Sequence, residues 1–271
     1  MRVRLFLATL LALCLFQFAC GSGGTNQSSP PASPPPSPPP QSPGPTSWNY
    51  TALGDSLAFG ILAVEGYVPR YASYLQTDNG VTVSLSNLGH NGWRSSDLLN
   101  ALKTDNSLRS SIQISQVVTW DIGGDDLLRA HADFYEDTCG GSDGQDCLRN
   151  AVSTFEPNWD AILAELLSLR SRQTTILRTM NVYNPFVAED VAAGNFDMLN
   201  TYLNQLNEYI ENSAARNSIQ FADIHAIFNG ASGTEDPISK GYISLDGVHP
   251  NDQGHKAIAD SLRALQYAPL K

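Results

Sequence analysis

Basic residues are scarce in this sequence. Lysine and arginine together number 16, against 27 aspartates and glutamates, so the formal net charge at pH 7 is −11. Binding to nucleic acid requires a basic surface, and attraction to anionic lipid requires positive charge as well. The charge balance therefore argues against both kinds of partner.

The motifs of most cofactor and metal chemistry are also missing. The sequence contains no glycine-rich phosphate loop, no His-Glu-x-x-His pair, no paired Cys-x-x-Cys motifs and no internal repeat. The phosphate loop and the histidine and cysteine motifs each place the ligands of a phosphate or a metal at a fixed spacing. We therefore expect no cofactor and no bound metal.

Long apolar runs are limited to the start of the chain. Leu5 to Ala19 is almost continuously apolar and follows two basic residues, Arg2 and Arg4. The run has the length of a secretory signal and is short for a membrane-spanning helix. We predict that residues 1–19 are a signal segment and that the protein is exported.

Cysteine is rare, with four residues in the chain. Cys14 lies within the apolar run. Cys20 directly follows the run and precedes the polar stretch Gly-Ser-Gly-Gly-Thr-Asn-Gln-Ser-Ser, an arrangement that resembles a bacterial lipoprotein signal. The resemblance implies that Cys20 is lipidated and anchors the protein at the cell envelope; simple secretion is the alternative. Cys139 and Cys147 flank a short polar loop, which predicts a disulfide in an oxidising compartment rather than half of a zinc site.

The rest of the chain divides into a spacer and one domain. Residues 20–47 are rich in glycine, serine and proline, which predicts a disordered, extended linker. Residues 48–271 have the length of a single α/β domain. The predicted strands are one ending at Gly54 and Val81–Asn87, Gln116–Gly123, Thr174–Val182 and Ser218–Ile224, and the predicted helices include Asp160–Leu169, Phe196–Ile210 and Asn251–Leu265. This alternation predicts a mostly parallel sheet with helices on both faces.

Two polar segments lie where such a sheet collects reactive groups, beyond the carboxyl ends of its strands. Ser56 follows the strand that ends at Gly54 and begins the turn into a helix, where Asp55 or Ser56 can also serve as an ordinary helix cap. Asp246 and His249 stand three residues apart before a predicted helix, and Pro250 biases His249 towards extended backbone. A histidine with a nearby carboxylate is what a general base requires, although a surface histidine beside a capping aspartate gives the same pattern.

Together, the two segments resemble the first and last sequence blocks of the SGNH, or GDSL, hydrolases. Gly-Asp-Ser-Leu occupies residues 54–57 and Asp-Gly-Val-His-Pro occupies 246–250, in the family's order. The resemblance implies a three-layer α/β/α sandwich with a mostly parallel central sheet, similar to flavodoxin. It also implies that Ser56 is the nucleophile, His249 the general base and Asp246 the residue that orients His249.

The resemblance further implies an oxyanion hole, with one departure from the family. Its expected donors are the backbone N–H groups of Ser56 and Gly89 and the side chain of an asparagine, but Asp125 stands at the asparagine's position. A carboxylate has no N–H to donate, and losing such a donor costs roughly 10²–10³ in rate. Asp125 can stay protonated and donate its O–H, Asn91 can replace it, or the enzyme is slow. Asp125 can in addition cap a helix that begins at Asp126.

Two remaining segments have a weaker bearing on chemistry. We expect Asp55, His90 and Asn91 to contribute to a pocket around Ser56. Residues 140–144 match the Gly-x-Ser-x-Gly elbow of other lipases, but no apolar strand precedes them, and we interpret them as part of the disulfide-closed loop. Asp143 and Asp146 in that loop can bind calcium weakly but lack the spacing of a dedicated site.

The sequence as a whole predicts an exported, monomeric serine hydrolase that cleaves carboxylic esters through an acyl-enzyme. Small acyl esters are the favoured substrates, with lysophospholipid-type esters also within the range of the family. A polysaccharide O-deacetylase is the nearest alternative enzyme. A surface-tethered module that binds glycans or lipids with a degenerate hydrolase site is the alternative outside catalysis.

Overall fold

The computed structural model describes residues 46–271. The predicted signal segment, the lipidation site at Cys20 and nearly all of the predicted linker lie outside these residues. The first strand begins at Ser47, one residue before the predicted start of the domain. Within the described range, no helix combines the length and the apolar character that crossing a bilayer requires.

Five parallel strands form the central sheet in the order β2-β1-β3-β4-β5. They are β1 (Ser47–Gly54), β2 (Thr82–Gly89), β3 (Val117–Trp120), β4 (Ile176–Met180) and β5 (Gln220–Ala222). All four strand pairings are parallel, as the alternation of strand and helix predicted. The helices between and after the strands are α1 (Ser56–Phe59), α2 (Tyr67–Asn79), α3 (Ser95–Thr104), α4 (Asn106–Ile114), α5 (Gly124–Tyr135), α6 (Asp146–Leu169), α7 (Val187–Ala193), α8 (Phe196–Arg216), α9 (Ile224–Asn229) and α10 (Asp252–Ala264).

Helices cover both faces of the sheet, so the domain has the predicted three α/β/α layers. In β1, Tyr50 and Ala52 point into one apolar cluster with residues of α2 and α10. Leu53 points to the other side, into a cluster with residues of α3, α6 and α8. The side chains of a strand alternate between its two faces, so β1 contributes to both cores and is fixed between them.

The topology places the polar segments together. Parallel strands end at one edge of the sheet, and β1 lies between β2 and β3. Gly54 pairs with Gly89 in the register of β1 and β2, and Leu53 pairs with Trp120 of β3. The loops after β1, β2 and β3 therefore emerge side by side.

Candidate active site

Ser56 is the first residue of α1, directly beyond the carboxyl end of β1. Asp55 caps this short helix, since its side chain accepts a hydrogen bond of 2.9 Å from the Leu57 N–H. Gly54 has φ +142°, and a Cβ at this position would collide with Asp121, which begins the loop after β3. Only glycine permits this tight entry into α1, so the backbone itself fixes where Ser56 lies.

Ser56, His249 and Asp246 form a continuous hydrogen-bonded chain. Ser56 Oγ lies 2.9 Å from His249 Nε2, and His249 Nδ1 lies 2.5 Å from Asp246 Oδ2. Burial opposes ionisation of Asp246, but bonds from the His249 ring and from backbone N–H groups hold the pKa of this carboxyl below its usual range. An ionised carboxylate only accepts hydrogen bonds, so Nδ1 carries the imidazole proton and Nε2 is free to take the proton of Ser56.

The loop that carries His249 is held by bonds that the sequence motif does not include. The Tyr183 hydroxyl donates to the Val248 carbonyl at 2.6 Å, and the Ser244 N–H donates to the His249 carbonyl at 2.8 Å. Asn251 then caps α10, accepting from the N–H groups of its first turn. Tyr183 lies in the loop after β4 and positions His249 through its bond to the Val248 carbonyl. No sequence motif includes Tyr183, and its place just beyond the end of a strand is the only feature of the sequence that indicates a role in the site.

A pair of buried carboxyl groups lies behind Ser56. The Asp55 N–H donates to Asp121 Oδ1 at 3.1 Å, and the Tyr67 hydroxyl donates to Asp121 Oδ2. Burial raises the pKa of Asp121 to about 6, despite these donors. Burial and the neighbouring charge of Asp121 raise the pKa of Asp55 further above its usual range. Hydrogen bonds from Asp55 and Tyr67 stabilise the ionised form of Asp121. The negative charge of the pair therefore lies on Asp121, while Asp55 favours the neutral form.

The expected oxyanion donors differ in their availability. The Gly89 N–H donates to Asn87 Oδ1 at 3.1 Å, so it already has an acceptor. Asn87 is itself held, because its side-chain amide donates to the Ala58 carbonyl at 2.6 Å. Among the described residues, nothing accepts a hydrogen bond from the Ser56 N–H. The Ser56 amide is therefore the free backbone donor at this site.

Asp125 lies in the first turn of α5, which begins at Gly124 with Gly123 as its N-cap. The prediction that Asp125 caps a helix starting at Asp126 is thus wrong, since the helix starts earlier. Asp125 is half-buried, lines the cavity next to Ser56, and its carboxyl group makes no hydrogen bond with any described residue. Burial raises the pKa of Asp125, and the nearby His249 opposes this.

A mainly apolar cavity opens beside Ser56 and His249. It holds about 850 Å³ of space between protein atoms, part of it open to solvent. Its apolar wall comes from α5, α6, α8 and the loop after β4, and includes Leu127, Leu128, Leu148, Val182, Phe186, Leu199 and Leu203. This wall has no counterpart in the sequence motifs, because its residues come from four separate segments.

The residues expected around the pocket lie on opposite sides of β1. Asp55 and Asp125 line the cavity, which lies on the β3 and β4 side of β1. His90 and Asn91 follow β2 on the other side of β1, where both are exposed and neither lines the cavity. His90 instead stacks on Trp93, with ring centroids 4.0 Å apart. Asn91 is accordingly not placed to replace the missing asparagine.

The loop between α5 and α6 is closed by a disulfide, Cys139–Cys147. Arg149 lies between the two carboxylates of this loop, 2.8 Å from Asp143 and 2.5 Å from Asp146. A cation of the protein itself thus occupies the position that a weak calcium site would need. Across residues 46–271, no group of three or more His, Cys, Asp or Glu side chains is arranged to hold a metal ion.

Comparison with known proteins identifies the class. The sequence model of the GDSL-like lipase/acylhydrolase family matches residues 52–257, which is most of the described domain. The chain therefore belongs to this family, as the two motifs indicated, and it is a hydrolase of carboxylic esters.

Individual relatives share nearly the whole domain. The spore germination lipase LipC of Bacillus licheniformis is 27% identical over 227 residues, which cover 82% of this chain and 98% of LipC. The crystal structure of lipase Lip_vut3 from a goat rumen metagenome is 28% identical, with a TM-score of 0.66, and covers 83% of this chain and 100% of that one. Axe2, an acetylxylan esterase from Geobacillus stearothermophilus, is 20% identical with a TM-score of 0.58 over 82% of this chain and 95% of its own. At 20% identity, the match to Axe2 shows only that the two proteins share a fold.

Proposed function

We propose that this protein is an exported serine hydrolase that cleaves carboxylic esters through a triad of Ser56, His249 and Asp246. The observation that carries the proposal is the unbroken hydrogen-bonded chain from Ser56 Oγ to Asp246 at the rim of an apolar cavity. A binding module with a degenerate site would not need all three groups within bonding distance of one another.

The geometry supports a two-step reaction. His249 Nε2 takes the proton of Ser56 Oγ as the oxygen attacks the ester carbonyl, and Asp246 stabilises the imidazolium that forms. His249 then gives this proton to the departing alcohol oxygen, which leaves an acyl group on Ser56. In the second step, His249 takes a proton from a water molecule whose oxygen attacks the acyl carbon. The bond from that carbon to Ser56 Oγ then breaks, and His249 returns the proton to Oγ, which releases the acid and restores the free serine.

The transition state of both steps carries negative charge on the former carbonyl oxygen. We propose that the Ser56 N–H and a protonated Asp125 O–H bind this oxygen. Three features support this role: Asp125 lines the cavity, lacks a partner among the described residues, and has a pKa raised by burial. A neutral carboxylic acid can donate a hydrogen bond as an asparagine amide does.

The apolar cavity favours esters with a carbon chain of several atoms rather than an acetyl group alone. An acyl chain placed there contacts leucines of α5, α6 and α8, and each buried CH₂ contributes about 0.8 kcal/mol. The names of LipC and Lip_vut3, both lipases, agree with this preference. The alcohol then leaves on the side of His249, which must reach it with a proton. An acetylated polysaccharide would leave most of the apolar wall without a contact.

Export is supported by the disulfide between Cys139 and Cys147, a bond typical of oxidising compartments. We retain the proposal that the segment before residue 20 directs export and that Cys20 anchors the mature chain through a lipid. A metabolic label with a fatty acid, compared between the natural chain and Cys20→Ala, separates anchoring from simple secretion.

Hydrolysis of p-nitrophenyl esters tests the reaction. We expect wild type to cleave the octanoate with a higher kcat/KM than the acetate, and Ser56→Ala to lose activity on both. Ser73→Ala is the matched control, because it makes the same change at an exposed serine of α2. Equal rates for wild type and Ser56→Ala would exclude Ser56 as the nucleophile. If the wild-type protein hydrolyses none of the esters, the alternative of a binding module is favoured.

Asp125→Asn tests the oxyanion donor. Because the pKa of Asp125 is raised, its protonated form persists above the usual range and is lost as the pH rises. We expect the wild-type rate to fall on the alkaline side, by roughly 10²–10³ once the donor becomes a carboxylate. Asparagine does not titrate, so Asp125→Asn should keep its rate through that range. The same alkaline decline in both proteins would contradict the role of Asp125.

A further inference from the structure

A polar cluster interrupts the apolar wall of the cavity. His131 of α5 and Asp190 of α7 both line it, away from the triad. His131 Nε2 lies 2.9 Å from Asp190 Oδ1, and the Tyr135 hydroxyl donates to the same oxygen at 2.9 Å. The His131 ring also stacks on Phe186, with centroids 4.3 Å apart. The cluster therefore has a fixed geometry within the cavity wall.

Two acceptor atoms of this cluster have no partner. Asp190 is 1% exposed, and its Oδ2 is buried without a hydrogen bond from any residue in the described part of the chain. Because Asp190 Oδ1 accepts from His131 Nε2, that nitrogen carries the proton of the neutral ring, and the other ring nitrogen, Nδ1, then has a free lone pair. No described residue bonds to His131 Nδ1. A buried acceptor without a donor is costly and rare in proteins, so Asp190 Oδ2 requires an explanation. His131 is half-buried, so its Nδ1 is open to a partner that enters the cavity.

A purely structural role does not account for these free acceptors. The bonds from His131 and Tyr135 to Asp190 Oδ1 already connect α5 to α7. That connection leaves Oδ2 and Nδ1 unused, in a cavity whose wall is mainly apolar. A molecule in the cavity that brings a hydrogen-bond donor to this point would satisfy one of them.

We propose that His131 and Asp190 form a subsite that recognises a hydroxyl group on the acyl part of the ester, away from the scissile bond. The preferred substrates are thus esters of hydroxylated fatty acids rather than of plain ones. This inference rests on the proposed function, because it assumes that the acyl chain occupies the cavity next to Ser56. Both free atoms are acceptors, so either one selects a donor, and the single proton of a hydroxyl group bonds to one of them.

Matched substrates test the subsite in the intact protein. We would measure kcat/KM for three series of ethyl esters of increasing acyl chain length. The far end of the acyl chain is plain in the first series, hydroxylated in the second and methoxylated in the third. The methoxy group resembles the hydroxyl in polarity and adds bulk, but it donates no hydrogen bond. For wild type we expect about a tenfold preference for the hydroxylated ester over the other two. The preference should peak at the one chain length that reaches His131.

Variants assign the preference to the cluster. His131→Phe keeps an aromatic ring beside Phe186 but removes the acceptor. The ratio of kcat/KM for the hydroxylated ester to kcat/KM for the plain ester should therefore fall towards one. Asp190→Asn keeps an oxygen for His131 and Tyr135 and presents an amide donor in place of Oδ2, which should shift selection from the hydroxylated towards the methoxylated ester. Tyr135→Phe is the control, because Tyr135 bonds Asp190 without lining the cavity, and we expect the preference to remain.

The outcomes separate this inference from the proposed function. Hydrolysis of plain esters with equal kcat/KM for the hydroxylated series would overturn the subsite and leave the esterase intact. A hydroxyl preference that survives both His131→Phe and Asp190→Asn would overturn its location. Failure to hydrolyse any of the esters would instead refute the proposed function, and the subsite with it.

Discussion

Acid should destabilise this protein through one buried histidine, His255. It lies in α10, six residues after His249, and is fully buried. Its Nδ1 accepts a hydrogen bond of 3.2 Å from the Tyr67 N–H, so this nitrogen must be unprotonated in the folded state. Burial lowers the pKa of His255 from 6.5 to about 4. In the unfolded chain the ring regains its ordinary pKa and binds a proton more readily.

The magnitude follows from this difference. The folded pKa is depressed, so the contribution of neutral His255 to stability is complete above pH 6.5 and is lost as the pH falls towards 4. One pKa unit corresponds to about 1.4 kcal/mol, so the full loss is about 3 kcal/mol, and about 2 kcal/mol has gone by pH 5. This is a large part of the stability of a typical domain.

His255→Asn removes the titrating group and keeps an acceptor near the position of Nδ1. We expect the variant to be less stable than wild type at neutral pH, because the asparagine is smaller, but to lose less stability on acidification. Urea unfolding followed by tryptophan fluorescence at a series of pH values measures both free energies. The difference between wild type and variant should shrink by about 3 kcal/mol from neutral pH to pH 4. A constant difference across this range would refute the assignment to His255.

Three further predictions follow from the site. Tyr183→Phe removes the hydroxyl that holds the Val248 carbonyl; kcat should fall about fivefold with KM little changed, as measured by steady-state kinetics, and a change in KM alone would count against a positioning role. Gly89→Ala would place a Cβ 2.5 Å from the Phe59 backbone nitrogen; thermal unfolding should show a loss of about 1–3 kcal/mol, and wild-type stability would contradict the close packing of α1 on β2. Leu199→Trp should fill part of the cavity and lower kcat/KM for the octanoate about tenfold while sparing the acetate, whereas an equal loss on both would place the acyl chain elsewhere.

The sequence was sufficient for the elements whose identity depends on local chemistry. The blocks at residues 54–57 and 246–250 pointed to one family, and the structure brings Ser56 and His249 within hydrogen-bond distance although 193 positions separate them. The parallel sheet also followed from local patterns, since alternating strands and helices leave few other arrangements. The predicted strand Gln116–Gly123 extends beyond β3 by one residue at its start and three at its end. Ile122 is buried and continues the apolar pattern after the last hydrogen-bonded pair.

Features that depend on packing between distant segments were not predictable. Helix α6 extends from Asp146 to Leu169, although the apolar pattern marked only the part from Asp160 onwards. Pro157 lies inside this helix and weakens its local signal, while burial of Phe155 and other residues before it holds the chain helical. The cavity wall, Tyr183 and the pair of His131 and Asp190 come from segments that no short motif connects. Their common position at one edge of the sheet appears only once the chain is folded.

The measurement that most directly tests the account is the site of reaction with a fluorophosphonate. The reagent phosphonylates a serine only where a neighbouring base takes its proton and donors stabilise the charged oxygen. We predict a single adduct on Ser56, located by mass spectrometry of proteolytic peptides, and its loss in Ser56→Ala and in His249→Ala. An unmodified Ser56, or an equal adduct in His249→Ala, would contradict the proposal that these residues act together as the catalytic centre.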